Sequence, residues 1–599
     1  MIPIFSFANL VHGSRQAIER FIRSGKVIPF RAMTRSGRLN DRGVALAVSL
    51  FAMTLIVSLS AVFVLRSIQE GAVSRVDVSS AKTVYTAEAG AKDGLLTLYN
   101  LINFYMLNTV SATTPSVLAS QAGTYASTKD GVGFLVAYVK NNGAALLTKV
   151  GTEAVYTGTL TAFDGGTYSG TIYIGALGNP TAPAPNVWDF PFYFKIQTAA
   201  VNQGKTRKTI LHGDFTVQVQ KDNFARYALY TVHQTIPNGT AVWFTERTNF
   251  TGPVLTNDRF SFAHNPSGIF DGTVKQVSTQ ARFYNNNNPV LLDADANGTR
   301  DVPLFTSGFQ RGATAVTMPT SSQESDMASE ASGGNTYNTD GIYVPVTGTT
   351  LKGGIYVHGN ANVTMGLDAQ DRQTLTIVQG GTTKTVTIDK TANQTIVKQG
   401  STNTTYTGLP FGKDGLGTLI YVNGDINSLG GTVQRANQMT IATKNNITIK
   451  DNIRYEDYTP ATGTPGTTGY TPPTAEGKDN LLGILSWNGD VVIDSNAPQN
   501  VEIDATVMAK SGQFCVDEYD TINPRGIATL LGGVISNYYG AFGTFDSSTG
   551  QTASGYGRNF VYDTRMESAT TPPYFPTMNT FIAFTNNVGD KLAWQQGGF

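Results

Sequence analysis

From Val44 to Leu65 the chain runs for 22 residues without a formal charge. As helix, at 1.5 Å per residue, such a run is about 33 Å long, enough to cross a bilayer core of roughly 30 Å. Behind it Ile68, Val76, Val84, Tyr85, Leu95, Leu98, Tyr99, Ile102 and Tyr105 recur at threes and fours with no Pro before Pro115. That spacing predicts one long helix over 44–108. After Asn108 the period changes to two, as in Gly170-Thr-Ile-Tyr-Ile-Gly175, Phe190-Pro-Phe-Tyr-Phe-Lys-Ile196 and Phe215-Thr-Val-Gln-Val-Gln220. These are strands turned by Gly and Pro. Packed against the exposed half of the helix they make an α+β, mostly β head, assigned to 109–350.

From Gly353 the chain repeats itself weakly. Tyr356-Val-His-Gly359-Asn360, Tyr421-Val-Asn-Gly424-Asp425 and Ser486-Trp-Asn-Gly489-Asp490 share an apolar pair, a Gly and a polar turn, each 65 residues after the last. That interval suits about three coils of 20-odd residues. Short strands such as Met439-Thr-Ile, Ile447-Thr-Ile and Val501-Glu-Ile fall between them, so 351–545 reads as a β-solenoid in which each coil buries its apolar face only against its neighbours. A β-sandwich of the same strands is the alternative. Leu375 to Ile388 alternates around Gly380-Gly381 and predicts a projecting hairpin, while Tyr458 to Pro473, rich in Pro, Gly and Thr, reads as a flexible surface loop. The segment 546–599 is expected to pack back on the head.

Charge changes the picture mainly at the amino terminus. Residues 1–43 carry eight basic side chains against Glu19 and Asp41, a net +6. A basic leader before an apolar helix stays cytoplasmic and sends everything from Arg66 outward. A cleavable secretory signal, or a plain anchor followed by a coiled stalk, are the alternatives. Elsewhere charge is scarce: charged residues are 14% of the chain, with 43 basic and 43 acidic. No global field attracts nucleic acid or an anionic membrane. The single Cys515 excludes an intrachain disulfide framework and a Cys-rich metal site.

The junction Asp41-Arg42-Gly43 before Val44-Ala-Leu-Ala-Val48 resembles a type IV prepilin cleavage site, with Gly43 and Val44 flanking the cut. With Ala87-Glu-Ala-Gly90 beyond the apolar run, similar to a motif that recurs at the end of the first helix in the PilX-like N-terminal class, the resemblance is to that class. It implies a single inner-membrane helix, a prepilin peptidase and other pilins as partners, and transfer to the cell surface. Val48 stands where most major pilins carry Glu, which in that family favours a place at the pilus tip. The aromatic segment from Phe224 to Val274, and Leu482-Gly-Ile-Leu, Gly532-Gly-Val-Ile, Tyr562-Asp-Thr-Arg565 and Pro572-Pro-Tyr-Phe-Pro576, are similar to large exterior proteins of this class. The nearest arrangement is the competence-associated minor pilin of the ComZ type, a pilin head with an inserted solenoid. It implies capture of extracellular DNA for natural transformation. A pilus-associated adhesin on carbohydrate or a cell surface, an assembly initiator, and a cell-surface β-helix enzyme acting on polysaccharide remain alternatives.

Candidate chemistry is sparse. Asp293, Asp295, Asn297, Thr299 (through its carbonyl) and Asp301, with Gly298 at the sixth position, follow calcium-loop spacing, so calcium is the one cofactor expected. Leu304 replaces the usual bidentate Glu, which makes the site weak or leaves a plain Asx turn. The five His residues show no zinc spacing, and no nucleophile elbow or phosphate loop is present, so the chain reads as a non-enzyme. The segment 351–460 has ten basic against eight acidic residues, so DNA binding would rest on a local stripe, for which Lys444, Lys450 and Arg454 are the candidates.

Overall fold

The computed structural model describes residues 41–599 except 159, 161–166, 185, 203–204, 246–247, 264–267, 286–287, 294–301, 466–467, 547–551, 569, 587–591 and 598–599. The chain divides into two compact units, 1–83 with 202–205, and 84–201 with 206–599. The first contains most of the helix Asp41–Asn100. The span Ala45–Ala112 is long and apolar enough to cross a membrane, as the unbroken apolar run predicts. Gly43 and Val44 lie within the first turns of this helix.

The second unit holds two separate hydrophobic cores. In the head, Ala91, Leu98, Leu101 and Ile102 of the helical region share a core with Ile172, Ile174, Phe190, Phe192, Phe194 and Ile196 of the sheet. The strands are Leu147–Val150, Glu153–Tyr156, Thr167–Ala176, Val187–Asn202, Lys205–Asn223 and Thr577–Asn586, in that order across the sheet. Alternation along them buries one face against the helices and leaves the other half-exposed, the expected result for an antiparallel sheet. This is the α+β, mostly β fold that the change of period predicts. Ala593–Gly597 also pairs with Lys205–Asn223, so the C-terminal strands do return to the head.

Between the adjacent strands Lys205–Asn223 and Thr577–Asn586 the chain leaves for 353 residues. Exit and return lie side by side: Asn223 pairs with Thr577, and the Asn223 amide donates to the Phe575 carbonyl at 3.3 Å. The excursion is a three-faced parallel β-solenoid. Its first face carries one inward row in continuous register: Ile355, Ile420, Ile441, Ile484, Val507, Val534, Leu229, Val254, Val274 and Phe309. The order is informative. The chain enters in mid-stack at Leu229–His233, winds to one end at Phe309–Gln310, crosses back, and winds from Ile355–His358 until Val534–Tyr538 pairs with Leu229–His233.

The crossing segment 311–332 lies on the outer side of the first face. Val316 exchanges two hydrogen bonds with the Asn257 amide and accepts the Tyr230 hydroxyl at 2.6 Å. Further along, Glu324 in the helix Ser321–Ser332 accepts the Tyr421 hydroxyl at 3.2 Å. Buried on both sides, these strands need apolar residues at successive positions, which is why Leu481–Ser486 is buried throughout.

The weak repeat has a physical meaning in this frame. At the corner after the first face, each Asx side-chain oxygen Oδ1 accepts the backbone N–H of the next coil: Asn360 from Asp425 at 2.8 Å, Asp425 from Asn446 at 3.0 Å, Asn446 from Asp490 at 2.9 Å, and Asp490 from Gln513 at 2.9 Å. The ladder satisfies corner groups that no strand pairs. A Cβ on Gly424 would stand 2.6 Å from the Gly359 carbonyl, so the glycine is required by close approach of neighbouring coils.

Four expectations need correction. The 65-residue interval is not three coils: Ile355 to Ile420 is one coil carrying an antiparallel extension, and Ile420 to Ile484 is two, the second lengthened by 456–480. The solenoid is not confined to 351–545, because 229–310 supplies four of its first-face strands and Gly557–Val561 pairs with Ile527–Leu531. The head is correspondingly smaller than 109–350. Separate winding segments joined across a stack leave no sequence period to read. The hairpin Gln373–Gln379 with Thr382–Asp389 forms as the Gly-Gly turn predicts, but it does not simply project: Leu375, Ile377, Val386 and Ile388 are buried in the solenoid core cluster. Tyr458 to Pro473, expected as a flexible surface loop, is not free of structure: Thr459 bridges Thr474 and Thr462 bridges Thr471.

Candidate binding surface

The third face of the solenoid uses the last part of Ile447–Tyr455 with Glu502–Asp504, Ile527–Leu531 and Gly557–Val561. Ile453, Ile503 and Leu530 pair in register and are buried in the core. Alternation therefore turns Glu502, Thr529 and Asn559 outward in one row. Each is half-buried.

The segment expected to be a flexible loop is an arm that pairs with itself and reaches this row. Thr459 bridges Thr474 and Thr462 bridges Thr471, antiparallel, so the arm is a narrow two-stranded ribbon. Its Tyr458 hydroxyl donates to Glu502 at 2.7 Å, and the Tyr470 hydroxyl accepts from the Asn559 amide at 2.6 Å. Composition suggested mobility because Pro, Gly and Thr bury little; two tyrosines supply the missing anchorage. The arm is tied at its base by Arg565, which donates to the carbonyls of Lys478 at 2.9 Å and Asn480 at 2.7 Å. Arg565 also forks onto Asp563 at 2.5 and 2.9 Å and lies over the Tyr455 ring, 5.1 Å from its centroid. Both members of this ion pair are buried, with side chains 8% and 2% exposed.

Asp504 lies beside the row and is almost fully buried. Burial pushes its carboxyl up to about 7, against the Tyr455 N–H that donates to it at 2.8 Å, and the negative charge of Glu502 adds to the rise. Glu502 is compensated by Arg454, whose Nε lies 2.5 Å away.

The structure disperses the expected DNA-binding residues. Lys444 is exposed at the first corner, Lys450 follows the 447–449 stretch that pairs with Ile426–Val433 on one side and Val491–Ile493 on the other to form the second face, and Arg454 lies on the third. Lys450 is paired with Asp494 at 3.6 Å and Arg454 with Glu502. Arg435 is shared by Glu456 at 2.5 Å and Asp371 at 3.0 Å, while Lys384 and Lys390 donate to the carbonyls of Ile342 and Ala436. These three residues therefore do not form one uncompensated stripe.

Of the expected calcium ligands only Asp293 is a described residue; Asp295, Asn297, Thr299 and Asp301 lie outside the described residues. Among the described residues no group of three or more His, Cys, Asp or Glu side chains is placed to hold a metal ion. The aromatics of the segment from Phe224 to Val274 are core: Phe244, Phe250, Phe260, Phe262 and Phe270 contact one another edge-on or tilted, with centroids 5.5–6.1 Å apart. Sequence reasoning missed Glu502, Thr529 and Asn559, which are 27 and 30 residues apart and share no motif. Cys515 is buried, and burial raises its thiol to about 12, which keeps it inert.

One family profile matches the chain. Described as a domain of unknown function (DUF4900), it covers residues 189–278. That stretch contains most of Val187–Asn202, all of Lys205–Asn223, the exit at Asn223 and the first solenoid coils, so it crosses the junction between the two cores. It overlaps the aromatic segment from Phe224 to Val274. No curated protein and no solved structure matches the chain.

Proposed function

We propose that this chain is a pilin-like minor subunit, anchored by its N-terminal helix, cleaved between Gly43 and Val44, and carried to the tip of a surface filament to display the solenoid. The observation that supports this reading is the insertion. A helix packed on an antiparallel sheet is a sufficient lateral building block, and the entire solenoid leaves and returns between two neighbouring strands of that sheet. Such an insertion adds a large binding body without altering the helix that would pack in a filament. A body of this bulk fits best where no later subunit stacks above it, and Val48 favours the same place.

Capture of extracellular DNA is the ligand role implied by the resemblance. The ion pairs at Lys450 and Arg454 weaken its electrostatic basis, because a phosphate chain is held through charges free to replace counterions. Display is therefore the function proposed, with binding of an extracellular polymer as its purpose. Shearing surface filaments from cells and probing them for this chain tests it. Recovery at a few copies per filament is expected, and full retention in the membrane fraction after shearing would overturn it.

A further inference from the structure

We propose that the outward row Glu502, Thr529 and Asn559, flanked by Tyr458 and Tyr470, binds a neutral polysaccharide chain lying along the solenoid axis. The inference deepens the display reading by naming the ligand class, and it rests on that reading only in placing this face outside the cell.

Three observations carry it. The first is periodicity: the three side chains belong to successive coils in exact register, about 4.8 Å apart in the pairing direction, close to the length of one sugar unit in an extended polymer. The second is chemistry. A carboxylate, a hydroxyl and a carboxamide together accept and donate, which suits the paired hydroxyls of a sugar. The Thr529 hydroxyl, at the centre of the row, has a single contact among the described residues, with the Asn559 amide at 3.4 Å. Tyr458 and Tyr470 close the two ends of the row with their hydroxyls, and tyrosine joins a polar tip to an apolar ring able to pack on the C–H side of a sugar. The third is charge: Arg454 compensates Glu502, so the row offers a polyanion no net attraction.

Calorimetry of the full-length protein in detergent tests the site. The probes are neutral hexasaccharides of β-1,4-linked glucose, β-1,4-linked N-acetylglucosamine and α-1,6-linked mannose, with duplex DNA as the polyanion control. Binding of at least one hexasaccharide is expected, weakened about tenfold or more by Glu502→Gln and by Asn559→Ala, since each loses charge-assisted or paired hydrogen bonds to the ligand. Thr529→Arg, which fills the centre of the row and touches the arm only through the Asn559 amide, should abolish it while the protein still unfolds in one cooperative transition. No heat with any hexasaccharide, or equal heats in wild type and Thr529→Arg, overturns the site. DNA binding that Glu502→Gln strengthens would assign the face to a polyanion instead. Filament recovery without sugar binding sinks this site alone, and sugar binding by a chain absent from filaments sinks the display reading alone.

Discussion

The first and third faces of the solenoid are built from the same winding chain and covered in opposite ways. On the first face the crossing segment 311–332 lies over apolar outward residues such as Tyr421, Leu485, Met508 and Tyr230, and burial on both sides does the holding. The third face carries polar outward residues, and a ribbon pinned by Tyr458, Tyr470 and Arg565 touches their two ends, leaving each half-exposed. Both segments make directional bonds, but on the first face these are backed by apolar contact that is non-directional and spread over many atoms, whereas the third-face ribbon has little but its bonds. The first face is thereby committed to stability. The third keeps half-exposed polar groups that a ligand can meet.

The largest effect expected is at the base of the arm. Arg565→Ala strands the buried Asp563 carboxylate without its partner, which should cost about 3–5 kcal/mol. Replacing both members with apolar residues of similar size should recover most of the loss, as read by denaturant unfolding. A cost below about 1 kcal/mol would mean the pair is solvated and the arm is held elsewhere.

On the first face, Ile484→Ala leaves a cavity in the continuous inward row and should cost about 2–5 kcal/mol, while Thr529→Val on the third face should stay within about 0.5 kcal/mol. Similar losses at the two positions would erase the contrast.

Asp504 gives the third face a pH dependence. Its folded value of about 7 lies above the unfolded carboxyl near 3.9, so the group favours folding while protonated. That contribution is complete below about pH 4 and is lost as pH rises toward 7, by at most about 1.4 kcal/mol per unit. Asp504→Asn should flatten the fall in stability between these limits. An unchanged slope in unfolding experiments at pH 5, 6 and 7 would show that the carboxyl is hydrated.

The smallest effect is expected for Lys444, Lys450 and Arg454 changed together to Gln. Exposed ion pairs contribute about 0–1 kcal/mol each, and pairs already made release few counterions. The salt dependence of any DNA binding should therefore hardly move. A slope lowered by about 2–3 units would restore these residues as phosphate contacts.

What the sequence revealed follows from how local each signal is. The apolar run after Gly43 and the alternating stretch at Phe190–Ile196 act within one element, and both formed as their periods predict. The Gly-Asx repeats marked a real ladder, yet Asn446, its third member, follows Asn445 rather than Gly and escaped the pattern. The mid-stack entry at Leu229 was hidden because its pairing with Val534 joins residues some 300 apart. The outward row was hidden for the same reason: Glu502, Thr529 and Asn559 become neighbours only through coil register. The Pro- and Thr-rich arm misled in the other direction, since composition reports what a segment cannot bury and says nothing of the two tyrosine bonds that hold it.

The central claim, a membrane-anchored pilin-like head that carries an inserted solenoid to the surface, is tested most directly by the intact mass of the protein from sheared surface filaments. Cleavage between Gly43 and Val44 predicts a chain that begins at Val44 and retains its apolar helix. A mass that includes Met1, or one that begins near Arg66 with the apolar helix lost, would contradict it.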